Sequence, residues 1–108
     1  MGGQAAVDEV ISRFGSACRI WYVHFRDVRG PVPAFTECFR GEGNLDPPAV
    51  IGWLMAVGFD VFLTDDHVPA MVGDPSTWAD SSSDAYCIRG RADAIGYMQG
   101  VLDALGVA

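Results

Sequence analysis

Lysine is missing from this chain of 108 residues, and all seven of its basic residues are arginines set against 14 Asp and Glu. The formal net charge of −7 leaves no basic stripe to neutralise phosphates, which argues against nucleic acid as a partner. Cysteine is scarce as well. Cys18, Cys38 and Cys87 are odd in number and share no metal-type spacing, so they read as reduced thiols in a cytoplasmic protein. No apolar run approaches the roughly 20 residues of a membrane span, and the start, Met1 to Glu9, has neither the basic nor the apolar region of a signal peptide. No membrane partner is therefore expected.

Hydrophobic residues make up 50% of the chain, too many for disorder by composition. Their pattern predicts a helix over 5–14, with Val7, Val10, Ile11 and Phe14 on one stripe and Gly15 able to end it. Residues 18–25 are β-branched and aromatic, a strand by propensity. A loop with a short helix around 34–39 follows. Asp46 then reads as the N-cap of a helix over 47–57, with Pro47 at its first position. A second strand is expected over 60–63. The last helix spans 91–105, with Ile95, Met98, Leu102 and Leu105 as its stripe. Alternation of this kind implies α/β structure, two parallel strands with covering helices. Two strands alone leave long edges and too little buried face for a complete sheet.

Each strand runs into polar chemistry at its carboxyl end, where parallel α/β folds place their active sites. The first delivers His24, Arg26, Asp27 and Arg29; the second delivers Asp65, Asp66 and His67. Imidazole beside carboxylate is a ligand set for Mn2+, Fe2+ or Zn2+, and equally an ordinary turn before Val68-Pro69. A histidine there could also serve as acid or base near neutral pH. The planar fork of Arg26 suits a small carboxylate substrate, although a solvated loop of Arg–Asp pairs explains the same residues. Tyr86, before the last helix, is either a proton donor or a loop aromatic.

The runs His24-Phe-Arg-Asp-Val-Arg-Gly30, Gly58-Phe-Asp60, Asp66-His-Val-Pro69 and Ala94-Ile-Gly-Tyr-Met-Gln-Gly100 together resemble the C-terminal part of bacterial mannonate dehydratases. The resemblance implies the closing portion of a (β/α)8 TIM barrel, incomplete in this chain. It also implies removal of water from D-mannonate to give 2-dehydro-3-deoxy-D-gluconate with Mn2+ or Fe2+. On that reading His24 and Asp66 are metal ligands at the ends of the seventh and eighth strands. His67 and Tyr86 are catalytic, and Arg26 is a candidate for the substrate carboxylate. The family usually has Arg-Pro before the Asp-His pair, where this chain has Thr64-Asp65. The remaining metal ligands of the family, a histidine and a cysteine, belong to earlier strands.

Two of eight strands cannot close a barrel, so little activity is expected of the chain alone, together with self-association or pairing with a missing N-terminal half. The rival reading is a non-catalytic remnant or interaction module. A different metal-dependent sugar isomerase or epimerase on the same barrel accounts for the strand ends but not for the Ala94–Gly100 run.

Overall fold

Residues 3–74 and 87–107 are described by a computed structural model. Helix α1, Gly3–Val10, continues as a π-helical turn over Ile11–Gly15. Strand β1 is Tyr22–Phe25, followed by two short strands, β2 (Val28–Arg29) and β3 (Thr36–Glu37). Helix α2 is Pro47–Ala56, strand β4 is Phe62–Asp65 and helix α3 is Ile88–Ala104. β1 and β4 pair in parallel in the register Tyr22↔Phe62, Val23↔Leu63, His24↔Thr64 and Phe25↔Asp65. β2 and β3 form an antiparallel ribbon between them in the chain.

The element boundaries differ from the sequence reading for local reasons. The first strand starts at Tyr22 rather than 18 because the preceding residues finish the helix. Cys18 N–H donates to Gly15 O (2.9 Å) and Arg19 N–H to Phe14 O (2.8 Å), with Cys18 at φ 54°. The turn away from the helix therefore falls on Cys18. Gly15 has a packing role instead, since a Cβ there would lie 2.5 Å from Val57 Cγ2.

The second strand begins at Phe62 because residues through Phe59 close α2. Gly58 N–H donates to Met55 O (2.9 Å) and Phe59 N–H to Leu54 O (3.0 Å), the paired bonds of a Schellman motif on a glycine at φ 79°. The start of α2 is made by Asp46, whose side chain accepts from Ala49 N–H (3.2 Å). The short helix expected around 34–39 is absent. Thr36 and Glu37 are extended and pair with Arg29 and Val28.

α3 begins at Ile88, three residues before the expected start. Asp74 supplies its N-terminal acceptor, taking Arg89 N–H (2.8 Å) and Gly90 N–H (3.2 Å), and also Met71 N–H (2.8 Å). These bonds satisfy helix donors that have no partner within the helix.

The core is Ile11, Phe25, Val50, Ile51, Leu54 and Met98, with Val23 and Leu63 packed against it. All three helices contribute to it, so they cover the same face of the sheet. The expected stripes are buried only in part: Val10, Phe14, Ile95 and Leu105 are exposed. The real seam of α3 runs through Gly90, Ala94 and Met98. Gly90 is needed there, since a Cβ would collide with Pro69 O.

Asp27, with 0% of its surface exposed, anchors the chain between β3 and α2. Its carboxylate accepts from Gly41 N–H (3.0 Å), Gly43 N–H (3.1 Å) and Leu45 N–H (3.3 Å). A Cβ on Gly43 would occupy the space of that carboxylate. Asn44 completes the wrap: its side chain accepts from Gly30 N–H (3.1 Å) and donates to Gly30 O (2.8 Å).

Three outcomes are expected from this packing. Ile51→Ala, at a side chain 1% exposed, lowers unfolding free energy by about 2–5 kcal/mol, while Ile95→Ala, 52% exposed, costs no more than about 1 kcal/mol; urea denaturation of both separates the true seam from the expected one. Asp27→Asn presents an NH2 group to backbone donors and costs about 1–3 kcal/mol in the same assay.

Asp74 is the third case. Desolvation, the largest single influence, raises its carboxyl, but the amides of Met71, Arg89 and Gly90 and the charge of Arg89 together prevail and hold it below the ordinary carboxylate value. A depressed folded pKa means stabilisation that is present above the unfolded value and lost as pH falls through the folded one. Thermal unfolding followed by circular dichroism below about pH 4 should therefore lose part of its acid sensitivity in Asp74→Asn.

Candidate functional site

Alternation along a strand gives the two faces of this sheet different characters. Val23, Phe25, Leu63 and Asp65 point towards the helices. Tyr22, His24, Phe62 and Thr64 point away from them. On that second face Tyr22 is 59% and Phe62 73% exposed, and the Tyr22 and His24 rings stand 5.2 Å apart. Apolar rings occupy the amino end of the bare face, and His24 leads into the polar carboxyl end.

Asp66 follows β4 directly, and its N–H donates to Phe25 O (3.3 Å), extending the ladder one step past the strand. The alternation sets Asp66 on the side of Thr64 and His24. His67 comes next, with Nε2 3.9 Å from Asp66 Oδ1 and Nδ1 3.9 Å from Glu37 Oε1. The structure thus brings Asp66, His67, Glu37 and Arg26 into one cluster of half-buried side chains.

Arg26 lies in that cluster, but its fork faces a carboxylate of the chain itself. Nε donates to Glu37 Oε2 (3.3 Å), Nη2 pairs with Oε1, and the guanidinium carbon stands 5.4 Å from the centre of the Phe35 ring. Glu37 falls in the segment where the sequence led us to expect a short helix, 34–39. It is in fact a strand residue facing both Arg26 and His67, and the alternation of Phe35-Thr36-Glu37 was its only signal.

Asp65 does not share the site of Asp66. Its side chain, 1% exposed, points to the helix layer and accepts from Arg91 Nε (2.9 Å) and Nη2 (3.3 Å). This bidentate pair joins the end of β4 to the first turn of α3. Tyr86 lies outside the described residues.

Arg40, which no sequence pattern marked, is 4% exposed and lies beneath the cluster. Nη2 donates to Phe25 O (2.7 Å) and Nη1 to His67 O (2.9 Å), while Nε is buried without a hydrogen-bond partner. Desolvation pulls the guanidinium below its ordinary pKa, opposed by the charges of Asp65, Asp27, Glu37 and Asp66. Nearby Cys38 is buried, and burial followed by the charge of Asp27 pushes its thiol up, away from the reactive thiolate form.

Among the described residues no group of three or more His, Cys, Asp or Glu is placed to hold a metal ion. His24 and Asp66 are donors of types that Mn2+ and Fe2+ accept. No described helix is long and apolar enough to cross a membrane.

No curated protein and no solved structure matches the chain. A family model described as D-mannonate dehydratase (UxuA) matches residues 2–108. That match spans the strand ends, the cluster beyond them and all three helices, so the chain belongs to the D-mannonate dehydratase family.

Proposed function

We propose that this chain carries the last two strand ends of a metal-dependent mannonate dehydratase barrel and contributes to its active site without completing it. The observation that carries the reading is the one-sided sheet. Helices cover one face of the β1–β4 pair, and no described helix covers the other, which is apolar at its amino end and polar at its carboxyl end. A TIM barrel has this distribution, with helices outside, packed side chains within and chemistry at the carboxyl ends.

The rest of the barrel would adjoin the free sides of β1 and β4. Beside β1 an apolar groove of about 370 Å3, lined by Val7, Val10, Ile20, Val23, Val50 and Leu54, would receive the preceding unit.

In the assembled site His24 and Asp66 would hold Mn2+ or Fe2+, together with donors from the earlier strands. The ion would supply Lewis acidity for removing a proton beside the carboxylate of D-mannonate and for loss of the β-hydroxyl. His67 stands between Glu37 and Asp66, two carboxylates that can orient its ring, and would transfer a proton. Tyr86 is a second candidate for proton transfer. Arg26 would bind the substrate carboxylate by exchanging it for Glu37, its present partner of the same chemistry. The site of action is proposed to be the cytoplasm.

The bare face also supports a second reading, a non-catalytic module that associates through it. One experiment weighs the two. The purified chain with Mn2+ and D-mannonate should form 2-dehydro-3-deoxy-D-gluconate at no more than trace rates. Adding a polypeptide that supplies the first six barrel strands should restore turnover, and His24→Ala or Asp66→Ala in that mixture should remove at least about a hundredfold of it. A complex that forms in sedimentation but stays inactive with the unaltered chain favours the module. Rapid turnover by the chain alone overturns the idea that the site is incomplete.

A further inference from the structure

We infer that Arg40 is a positioning residue, a buried guanidinium that fixes the spacing of the two strand ends from which His24, Asp66 and His67 project. Its two terminal nitrogens reach backbone carbonyls on different strands: Phe25 O at the end of β1 and His67 O just past β4. Phe25 directly follows His24, and His67 directly follows Asp66, so the fork grips the backbone next to each candidate ligand. Just past the strands Asp66 N–H donates to Phe25 O, a long bond at 3.3 Å. Arg40 adds a second tie between the two backbones at that level.

The residue is costly for a merely structural one. Among the described residues it buries a cation with no carboxylate hydrogen-bonded to it, and it leaves Nε unpartnered. Burial of that kind opposes folding unless the charge is compensated. Compensation comes through space from Asp27, Asp65, Asp66 and Glu37, so the charge balance of Arg40 includes a candidate metal ligand and a neighbour of His67. A guanidinium is a planar fork with fixed spacing between its nitrogens, whereas lysine is a single rotatable point charge. Arginine can therefore set a distance between two carbonyls, and lysine can only attract both.

The importance of that distance rests on the proposed function, but its test needs neither metal nor substrate, so the turnover experiment and this one fail independently. Amide hydrogen exchange is measured on the whole chain and on Arg40→Met and Arg40→Lys, reading the Asp66 amide against the α2 amides Ile51 to Leu54. In Arg40→Met the Asp66 amide should exchange about tenfold faster relative to α2, with Arg40→Lys in between. Acceleration of all amides by one common factor would reduce Arg40 to a general stabiliser and overturn the inference, as would an unchanged Asp66 amide. If Arg40→Met does not fold, the same comparison is decided on Arg40→Lys, where a selective effect at Asp66 supports the inference and a uniform one or none overturns it.

Discussion

A carboxylate sealed from water must find donors, and Asp27 finds three in the backbone of Gly41, Gly43 and Leu45. Those bonds fold the chain back onto the end of β1, and much of the structure follows from that return. It leaves Arg40 buried against the strand ends and brings the chain to Asp46, where α2 starts and crosses towards β4. The N–H of Asp46 is itself taken by Gln4 of α1 (2.7 Å), so the same return ties the first helix to the second. A buried ionised group is an uncertain source of stability, but here it fixes which of several loop paths the chain takes.

The parts of this fold that obey periodicity were legible in the sequence, and the parts that obey long-range partners were not. The parallel pair joined by a helix follows from alternation of element types. The cap at Asp46 follows from its neighbours Pro47 and Pro48. The starts of both strands were misplaced because helix ends consume more backbone than the last apolar residue indicates, as the turn at Cys18 and the closure at Phe59 demonstrate. The start of α3 depends on Asp74, 15 residues before its first helical amide partner, Arg89, and no local pattern contains that information.

The candidate site divides in the same way. His24, Asp66 and His67 stand where strand ends were expected to put them. Arg26 was read either as a fork for a carboxylate substrate or as one of several internal Arg–Asp pairs; it faces Glu37, and Glu37 was hidden in a segment taken for helix. Whether an arginine meets a substrate or its own chain is a matter of tertiary proximity, which spacing does not encode. The same holds for Asp65 and Asp66. Adjacent in sequence and identical in chemistry, they go to opposite faces of the sheet, one to Arg91 and one towards His24, because side chains alternate along an extended backbone.

The one-sided packing of the sheet bears on how such a unit can enter a larger protein. Its outer layer is self-contained: Ile51, Leu54 and Met98 close on Phe25 without help from elsewhere. What it presents laterally is the edge of a strand with an apolar groove beside it, and backbone groups recognise another strand whatever its side chains are. A piece built this way is suited to being joined, exchanged or duplicated, since the seam asks of its neighbours only an extended backbone and apolar side chains.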